Sequence, residues 1–264
     1  MKISVLVENT SKCCDLLAEH GLSFYIEANG KKILFDMGQT EMFSENAEKM
    51  EINCSDVDFA VLSHGHYDHG GGLSRFFEIN QKTMVYVSDK AFGDYYRNTE
   101  RYIGLDKELK KSARFIESKE KEVLAEGITL YNSQSRLLKY PIQSFGLIKK
   151  ENEQFLDDDF LHEQYLMIEE DGKKILISGC SHRGILNIMH WFKPDVLIGG
   201  FHFSKLDPET LEGEKELKKA AEELMSYPTV YYTCHCTGEK QYLFMKNLMQ
   251  DQLHYCSAGD VIEI

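Results

Sequence analysis

The chain has 264 residues, of which 42% are hydrophobic and 28% charged, and 43 acids against 30 bases give it a net charge of −13. That length and balance suit one α/β domain with a sizeable core and exclude a disordered or fibrous chain. No apolar run approaches the ~18 residues of a membrane span, and the negative field disfavours nucleic acid and anionic membranes as partners.

In chain order, strands are predicted over 3–7, 23–28, 32–35, 59–62, 84–87, 165–169, 174–178, 196–198, 230–233 and 261–264. Asn29-Gly30 and Asp171-Gly172 each sit between two of these runs and read as hairpin turns. Helices are predicted over about 12–19, 40–50, 72–79, 107–122, 184–192, 209–226 and 239–250, the sixth starting at Asp207-Pro208-Glu209. Two β-rich halves with helices outside imply an αβ/βα sandwich. The whole of 1–264 reads as one domain, with the charged, aromatic stretch 88–160 as a cap over a site. The amino terminus, acidic by Glu8, lacks the pattern of an export signal, and seven cysteines do not pair evenly. A cytoplasmic protein with free or metal-bound thiols is therefore expected.

The strongest chemical signal is Ser63-His64-Gly65-His66-Tyr67-Asp68-His69-Gly70-Gly71-Gly72, directly after the apolar run 59–62. Three imidazoles and a carboxylate leave the end of a buried strand together, and glycines let the loop turn tightly enough to aim them at one point. Nitrogen and oxygen donors of this kind suit zinc and similar cations. A His-rich surface loop is the bland alternative, disfavoured because crowded histidines repel when protonated. Cys234-His235-Cys236 has no second ligand pair at zinc-site spacing, and strand alternation would turn both thiols away from His235. The run Asp157-Asp158-Asp159 reads as a loop, and His190 and His254 as structural histidines.

His64-x-His66-x-Asp68-His69 resembles the signature of the metallo-β-lactamase fold superfamily of binuclear metallohydrolases. Ile33-Leu34-Phe35-Asp36-Met37-Gly38, Lys174-Ile175-Leu176-Ile177-Ser178-Gly179-Cys180 and Val230-Tyr231-Tyr232-Thr233-Cys234-His235 resemble its other motif strands. The resemblance implies a four-layer αβ/βα sandwich of the metallo-β-lactamase type, with Asp36 bracing the metal loop. It implies metal ligands at His64, His66 and His162 for one ion, and at Asp68, His69, Cys180 and His235 for the other. Cys180 stands where many members have aspartate, and His162 is the sole histidine between 70 and 179. It further implies a metal-bridging hydroxide as nucleophile, with zinc first among the ions and manganese or iron as alternatives. Two dications, less Asp68, a thiolate and hydroxide, leave about +1 on the site, which favours an anionic small-molecule substrate. Asp68, His182 and His202 are the catalytic candidates, the two histidines because they follow strand ends directed at the site.

Glu19-His20-Gly21, Gly179-Cys180-Ser181-His182-Arg183-Gly184, Gly199-Gly200-Phe201-His202 and Cys234-His235-Cys236-Thr237-Gly238 resemble the branch containing archaeal dihydropterin-linked synthases. That resemblance places His20 and Glu8-Asn9-Thr10 near the cleft. The expected activity is hydrolysis of a small soluble phosphate, phosphodiester or acyl compound. The alternatives are a dihydropteroate-synthase-like transferase joining a dihydropterin to an arylamine, and a non-catalytic metal-bearing ligand sensor.

Overall fold

Alternation along the strands decides the layering of this protein, whose computed structural model describes residues 1–264. The strand Lys31–Phe35 sends Ile33 and Phe35 to one face and Leu34 to the other. The strand Gln164–Glu170 sends Leu166 and Ile168 one way, Tyr165 and Met167 the other. A strand apolar on both faces needs cover on both. Ile33, Phe35, Leu166 and Ile168 meet in one core between two sheets, while Leu34 packs with Phe43, Leu73 and Phe76, and Tyr165 with Ile188, Leu217 and Met245.

The first sheet runs edge to edge through Val261–Glu263, Lys2–Val7, Ser23–Ala28, Lys31–Phe35, Phe59–Val61, Val85–Val87 and Phe115–Glu117. The second runs through Leu253–Tyr255, Val230–Thr233, Val196–Ile198, Lys173–Ile177, Gln164–Glu170, Ile128–Asn132 and Lys121–Ala125. Helices Met42–Lys49 and Leu73–Ile79 cover the outer face of the first sheet; Ile185–Phe192, Leu211–Met225 and Glu239–Met249 cover that of the second. The expected four-layer αβ/βα sandwich is what forms.

The two hairpins have the turn chemistry expected of them. Ala28 pairs with Lys31 across Asn29 and Gly30, whose φ values are +49° and +70°. Glu170 pairs with Lys173 across Asp171 and Gly172, at +52° and +77°. Two left-handed residues in succession match the twist of the flanking strands. Beyond each hairpin the pairing is parallel from Lys31–Phe35 to Phe115–Glu117 in one sheet and from Lys173–Ile177 to Leu253–Tyr255 in the other, and antiparallel on the opposite side of each hairpin. Parallel strands end together, so the loops after residues 35, 61, 177, 198 and 233 gather at one edge of the sandwich.

Several local expectations give way to tertiary demands. Residues 12–19 form turns and bends, not a helix. The stretch 107–122 holds only the short 3-10 helix Lys107–Lys111; Phe115–Glu117 then joins the first sheet beside Val85–Val87, with Phe115 packed on Phe77 and Phe92. Sheet pairing overrides the helical propensity of a lysine- and glutamate-rich run. Helix Leu211–Met225 starts later than expected, with the Thr210 hydroxyl accepting from Gly213 N–H at 3.1 Å. Within 88–160 lies a four-stranded antiparallel sheet of its own, ordered Gln154–Asp157, Leu147–Glu151, Tyr95–Arg97 and Arg101–Tyr102. No helix is long and apolar enough to cross a membrane.

Candidate metal centre

The loop after Phe59–Val61 is held from beneath by one carboxylate. Asp36 is fully buried with φ +59°, and it accepts from Ser63 N–H, Ser63 Oγ and His69 Nδ1, each at 2.7 Å. Ser63 Oγ also lies 2.8 Å from His64 Nδ1. Because the serine proton goes to Asp36, the hydroxyl accepts from His64 Nδ1–H. This network puts the protons of His64 and His69 on Nδ1 and leaves Nε2 of each as a lone pair facing the cavity. Gly65 makes the turn possible: a Cβ there would sit 2.0 Å from the carbonyl oxygen of Ala91.

His235 is fixed in the same way from the far end of the chain. Its backbone, at φ +49°, donates to Glu8 Oε1 at 2.6 Å, and its Nδ1 lies 2.8 Å from Asn9 Oδ1. Asn9 Oδ1 also accepts from Gly21 N–H, which identifies it as the amide oxygen and His235 Nδ1 as the protonated nitrogen. His235 Nε2 is buried without a hydrogen-bond partner, 3.4 Å from Asp68 Oδ2. His20 Nε2 reaches the same oxygen at 3.2 Å. Burial opposes ionisation of Asp68, but the hydrogen bond from His20 and the surrounding imidazoles overrule it and hold the carboxyl well below its usual range.

Donor atoms converge in four groups, each within 4.8 Å of one another: His64, His66 and His182; His64, His69 and Cys180; His20, Asp68 and His235; and His66, Asp158 and His162. Nε2 of His64 and Nε2 of His182 are 3.3 Å apart, and His69 Nε2 lies 3.1 Å from Cys180 Sγ. A tetrahedral zinc ion with bonds of about 2.0–2.1 Å to nitrogen separates its ligands by about 3.3–3.4 Å. Burial, then the neighbouring imidazoles, push His64 and His182 well below the usual histidine range, so both offer lone pairs at neutral pH. Burial pushes the Cys180 thiol well above its range, so its thiolate needs a cation beside it. The donor set therefore fits divalent ions.

The structure brings His64, His66, Asp68, His69, Cys180 and His235 together, and it sets His162 beside them in a separate group with His66 and Asp158. His162 Nδ1 accepts from Gly65 N–H at 2.9 Å, and Nε2 faces Asp158 Oδ2 at 3.2 Å. Both nitrogens are thus engaged by protein groups, and the ring lies against Tyr95 with centroids 4.0 Å apart. His182 stands with His64 and His66 instead, its backbone N–H anchored on buried Glu163 and its ring stacked on Phe160. His202, at φ +58°, sits 4.2 Å from His182 by ring centroids, with both nitrogens buried and unpartnered. Cys234 packs into the core between the sheets, as alternation predicts. Cys236 does not follow that rule: His235–Thr237 is a 3-10 turn, and it carries Cys236 into the cavity wall, where its thiol donates to the carbonyl of Cys180 at 3.3 Å.

Two supports had no legible signal in the sequence. Asp158, in an acidic run that reads as a solvated loop, is buried; its Oδ2 lies 3.2 Å from His162 Nε2 and 3.8 Å from the buried Nε2 of His66. Glu163 is buried and accepts from His182 N–H, Arg183 N–H and Tyr165 O–H. The cavity itself is about 260 Å³, roofed on one side by Arg97, Arg101, Ile103, Phe145 and Leu147 of the 88–160 stretch.

This fold and donor set define a class, and comparison with known proteins agrees. The model of the metallo-beta-lactamase superfamily matches residues 17–215, and the chain belongs to that superfamily. It is 31% identical over 273 residues to an uncharacterized protein of Methanocaldococcus jannaschii, covering 99% of this chain and 100% of that one. It is 31% identical over 274 residues to the 7,8-dihydropterin-6-methyl-4-(beta-D-ribofuranosyl)-aminobenzene-5'-phosphate synthase of the same organism, covering 93% of this chain and 90% of that one. A crystal structure described as a metal-dependent hydrolase of the beta-lactamase superfamily superposes with a TM-score of 0.85 at 27% identity, over 100% of this chain and 99% of that one. Zn(2+)-bound PqqB from Methylobacterium extorquens shares the fold, with a TM-score of 0.62 at 10% identity and full coverage of both chains (100% each).

Proposed function

We propose that the protein is a binuclear metal-dependent hydrolase of a small soluble compound with a phosphate, phosphodiester or acyl centre. The observation that carries this reading is the convergence of buried imidazole nitrogens and a thiol on one cavity wall, with Nε2 of His64 and of His182 at tetrahedral ligand spacing. His64, His66 and His182 would hold one ion; Asp68, His69, Cys180 and His235 the other, with His20 beside Asp68. Zinc suits this mixture of imidazole, carboxylate and thiolate. When bound, the two ions would supply Lewis acidity, lowering the pKa of water and polarising the phosphoryl or carbonyl oxygen of the electrophilic centre.

The chain's own groups do the rest. Asp36, Ser63 and Asn9 hold the donor nitrogens in the tautomer that points a lone pair inward. Asp68, kept ionised, is the carboxylate able to take a proton from water at the cavity floor. His202 has both ring nitrogens free of partners beside His182, and serves to give a proton to the leaving group. The sheet formed from 95–102 and 147–157 roofs the cavity and limits access of bulk water.

The test is elemental analysis of the purified protein, followed by assay of the fully metallated form on generic phosphodiesters, thioesters and lactams. Up to two ions per chain and hydrolysis that His66→Ala and Asp68→Ala abolish, with the fold retained, are expected. A transferase reading is favoured by one observation, the near full-length similarity to a dihydropterin-linked synthase. Formation of a joined product from a dihydropterin and a phosphorylated arylamine, without hydrolysis of the generic esters, would decide for it.

A further inference from the structure

The wall of the cavity that His66, His182, His202 and His235 line also carries Arg97, Arg101 and Lys205. Bases nearby on the same structural layer are neutralised: Lys107 pairs with Asp94, Lys149 with Asp159 and Glu151, and Lys150 with Glu153. The three in the cavity wall have no carboxylate within 4.0 Å, although the chain carries 43 acids. Arg97 and Arg101 are also direct cross-strand partners, flanking the turn Asn98-Thr99-Glu100. Like charges directly opposite on a hairpin destabilise it. An acidic chain that leaves two arginines face to face at a cavity mouth has kept a local positive field there.

Arg101 is aimed rather than neutralised. Its guanidinium lies 5.2 Å from the centroid of the Tyr67 ring, and its Nη2 donates to the Tyr67 hydroxyl at 2.9 Å. Tyr67 neighbours Asp68 in the loop, and its backbone N–H donates to Ile103 O at 2.9 Å, so the arginine hairpin and the metal loop are tied together. Lys205 approaches from the loop beyond Val196–Ile198, beside Ser204. The wall's carboxylates are Asp68, engaged by His20 and His235, and Glu239, which opens helix Glu239–Met249 where the helix dipole favours negative charge.

We propose that the cavity takes a substrate bearing a phosphate monoester group remote from the bond that reacts, held by Arg97 and Arg101 with Lys205, and that these residues select it. This rests on the reading of the cavity as the substrate site. Two guanidinium forks arriving from adjacent strands suit a dianion with three terminal oxygens, whereas a carboxylate is satisfied by one fork. The group is bound through its charge and does not react; no bond to it is made or broken.

The test is calorimetric titration of the full chain, both zinc-loaded and chelator-stripped, at pH 8 and low ionic strength. The probes are phenyl phosphate, benzoate and phenol. The stripped wild type should bind phenyl phosphate, more weakly benzoate, and not phenol. Arg97→Ala and Arg101→Ala should each weaken phenyl phosphate binding by about tenfold, and the double variant more. Arg101→Lys should fall between, keeping charge but losing the fork. The same losses should appear in the zinc-loaded protein. Both arginines are exposed, so thermal melts should show the variants folded. Equal binding by wild type and the double variant, no binding by stripped wild type, or preference for benzoate would each overturn the proposal. Because the readout is binding without metal or turnover, its failure leaves the hydrolase reading standing, and absent hydrolysis leaves this one standing.

Discussion

Replacing Asp36 by asparagine changes little in size and much in the direction of hydrogen bonds. The carboxylate now accepts three bonds at 2.7 Å, from Ser63 N–H, Ser63 Oγ and His69 Nδ1. An asparagine oxygen can keep the bond from Ser63 N–H, but its NH2 group then faces Ser63 Oγ and His69 Nδ1. Two donors cannot face each other, so His69 must carry its proton on Nε2, the nitrogen 3.1 Å from Cys180 Sγ. The lone pair aimed at the cavity is lost. Outer partners of this kind are worth about 10–100-fold in metal affinity, or roughly 1.4–2.8 kcal/mol. Competition with a chelator of known zinc affinity, read by elemental analysis, should therefore show one ion of the pair weakened to that extent, with the other retained. Asp36→Ala goes further and leaves Ser63 N–H and His69 Nδ1–H buried without acceptors. At about 1–3 kcal/mol for each stranded donor, it should lose about 2–6 kcal/mol of stability. If Asp36→Asn binds both ions with parental affinity, the tautomer argument is refuted, and with it the account of how the loop is organised.

His182→Ala should lower the metal content by one ion, whereas His162→Asn should leave it unchanged, since an asparagine oxygen can still accept from Gly65 N–H; elemental analysis separates the two. Asp158→Asn, which weakens the carboxylate facing both His66 and His162, should reduce affinity for the ion held by His64, His66 and His182 about tenfold in the same chelator competition. Gly65→Ala should cost about 2–4 kcal/mol, visible as a lowered unfolding midpoint, because its Cβ would collide with Ala91 O at 2.0 Å. The chelated protein should also lose stability as pH falls from 7.5 to 5.5. Burial holds His64, His66 and His182 below the usual range, with neighbouring imidazoles adding to it at His64 and His182 and Asp158 opposing it at His66, so the unfolded chain takes up protons near pH 6.5 that the folded one refuses. Each costs about 1 kcal/mol over that interval. His69 acts oppositely: burial would lower it, but Asp36 raises it, so its contribution is present at low pH and lost as pH rises. The net loss of about 2 kcal/mol corresponds to roughly 4–8 °C in melting temperature, and His182→Asn should remove about half. A flat profile would show that these histidines are not buried as neutral bases.

Local sequence rules determined what depends on neighbours in the chain. The Asn29-Gly30 and Asp171-Gly172 turns, the two-faced apolar strands and the His64–His69 loop are each dictated within a few residues, by backbone sterics and by the two-residue period of a strand. Family resemblance extended this to Asp36, Cys180 and His235, because each follows a readable strand. What only the tertiary structure decided depends on partners brought from afar. His162 and His182 are both histidines flanking the hairpin strands Gln164–Glu170 and Lys173–Ile177, and nothing local distinguishes them; the Gly65 amide and the Asp158 carboxylate engage one, and the cavity receives the other. Residues 115–117 became a strand because an unpaired sheet edge beside Val85–Val87 outweighs helical propensity. Cys236 entered the cavity because the chain turns after Thr233, which ends the alternation that would have turned it away. Periodicity and turn chemistry are encoded residue by residue. Which histidine faces the cavity, and the charge at its mouth, arise from hydrogen bonds and electrostatics between segments whose separation in sequence says nothing about their distance in space.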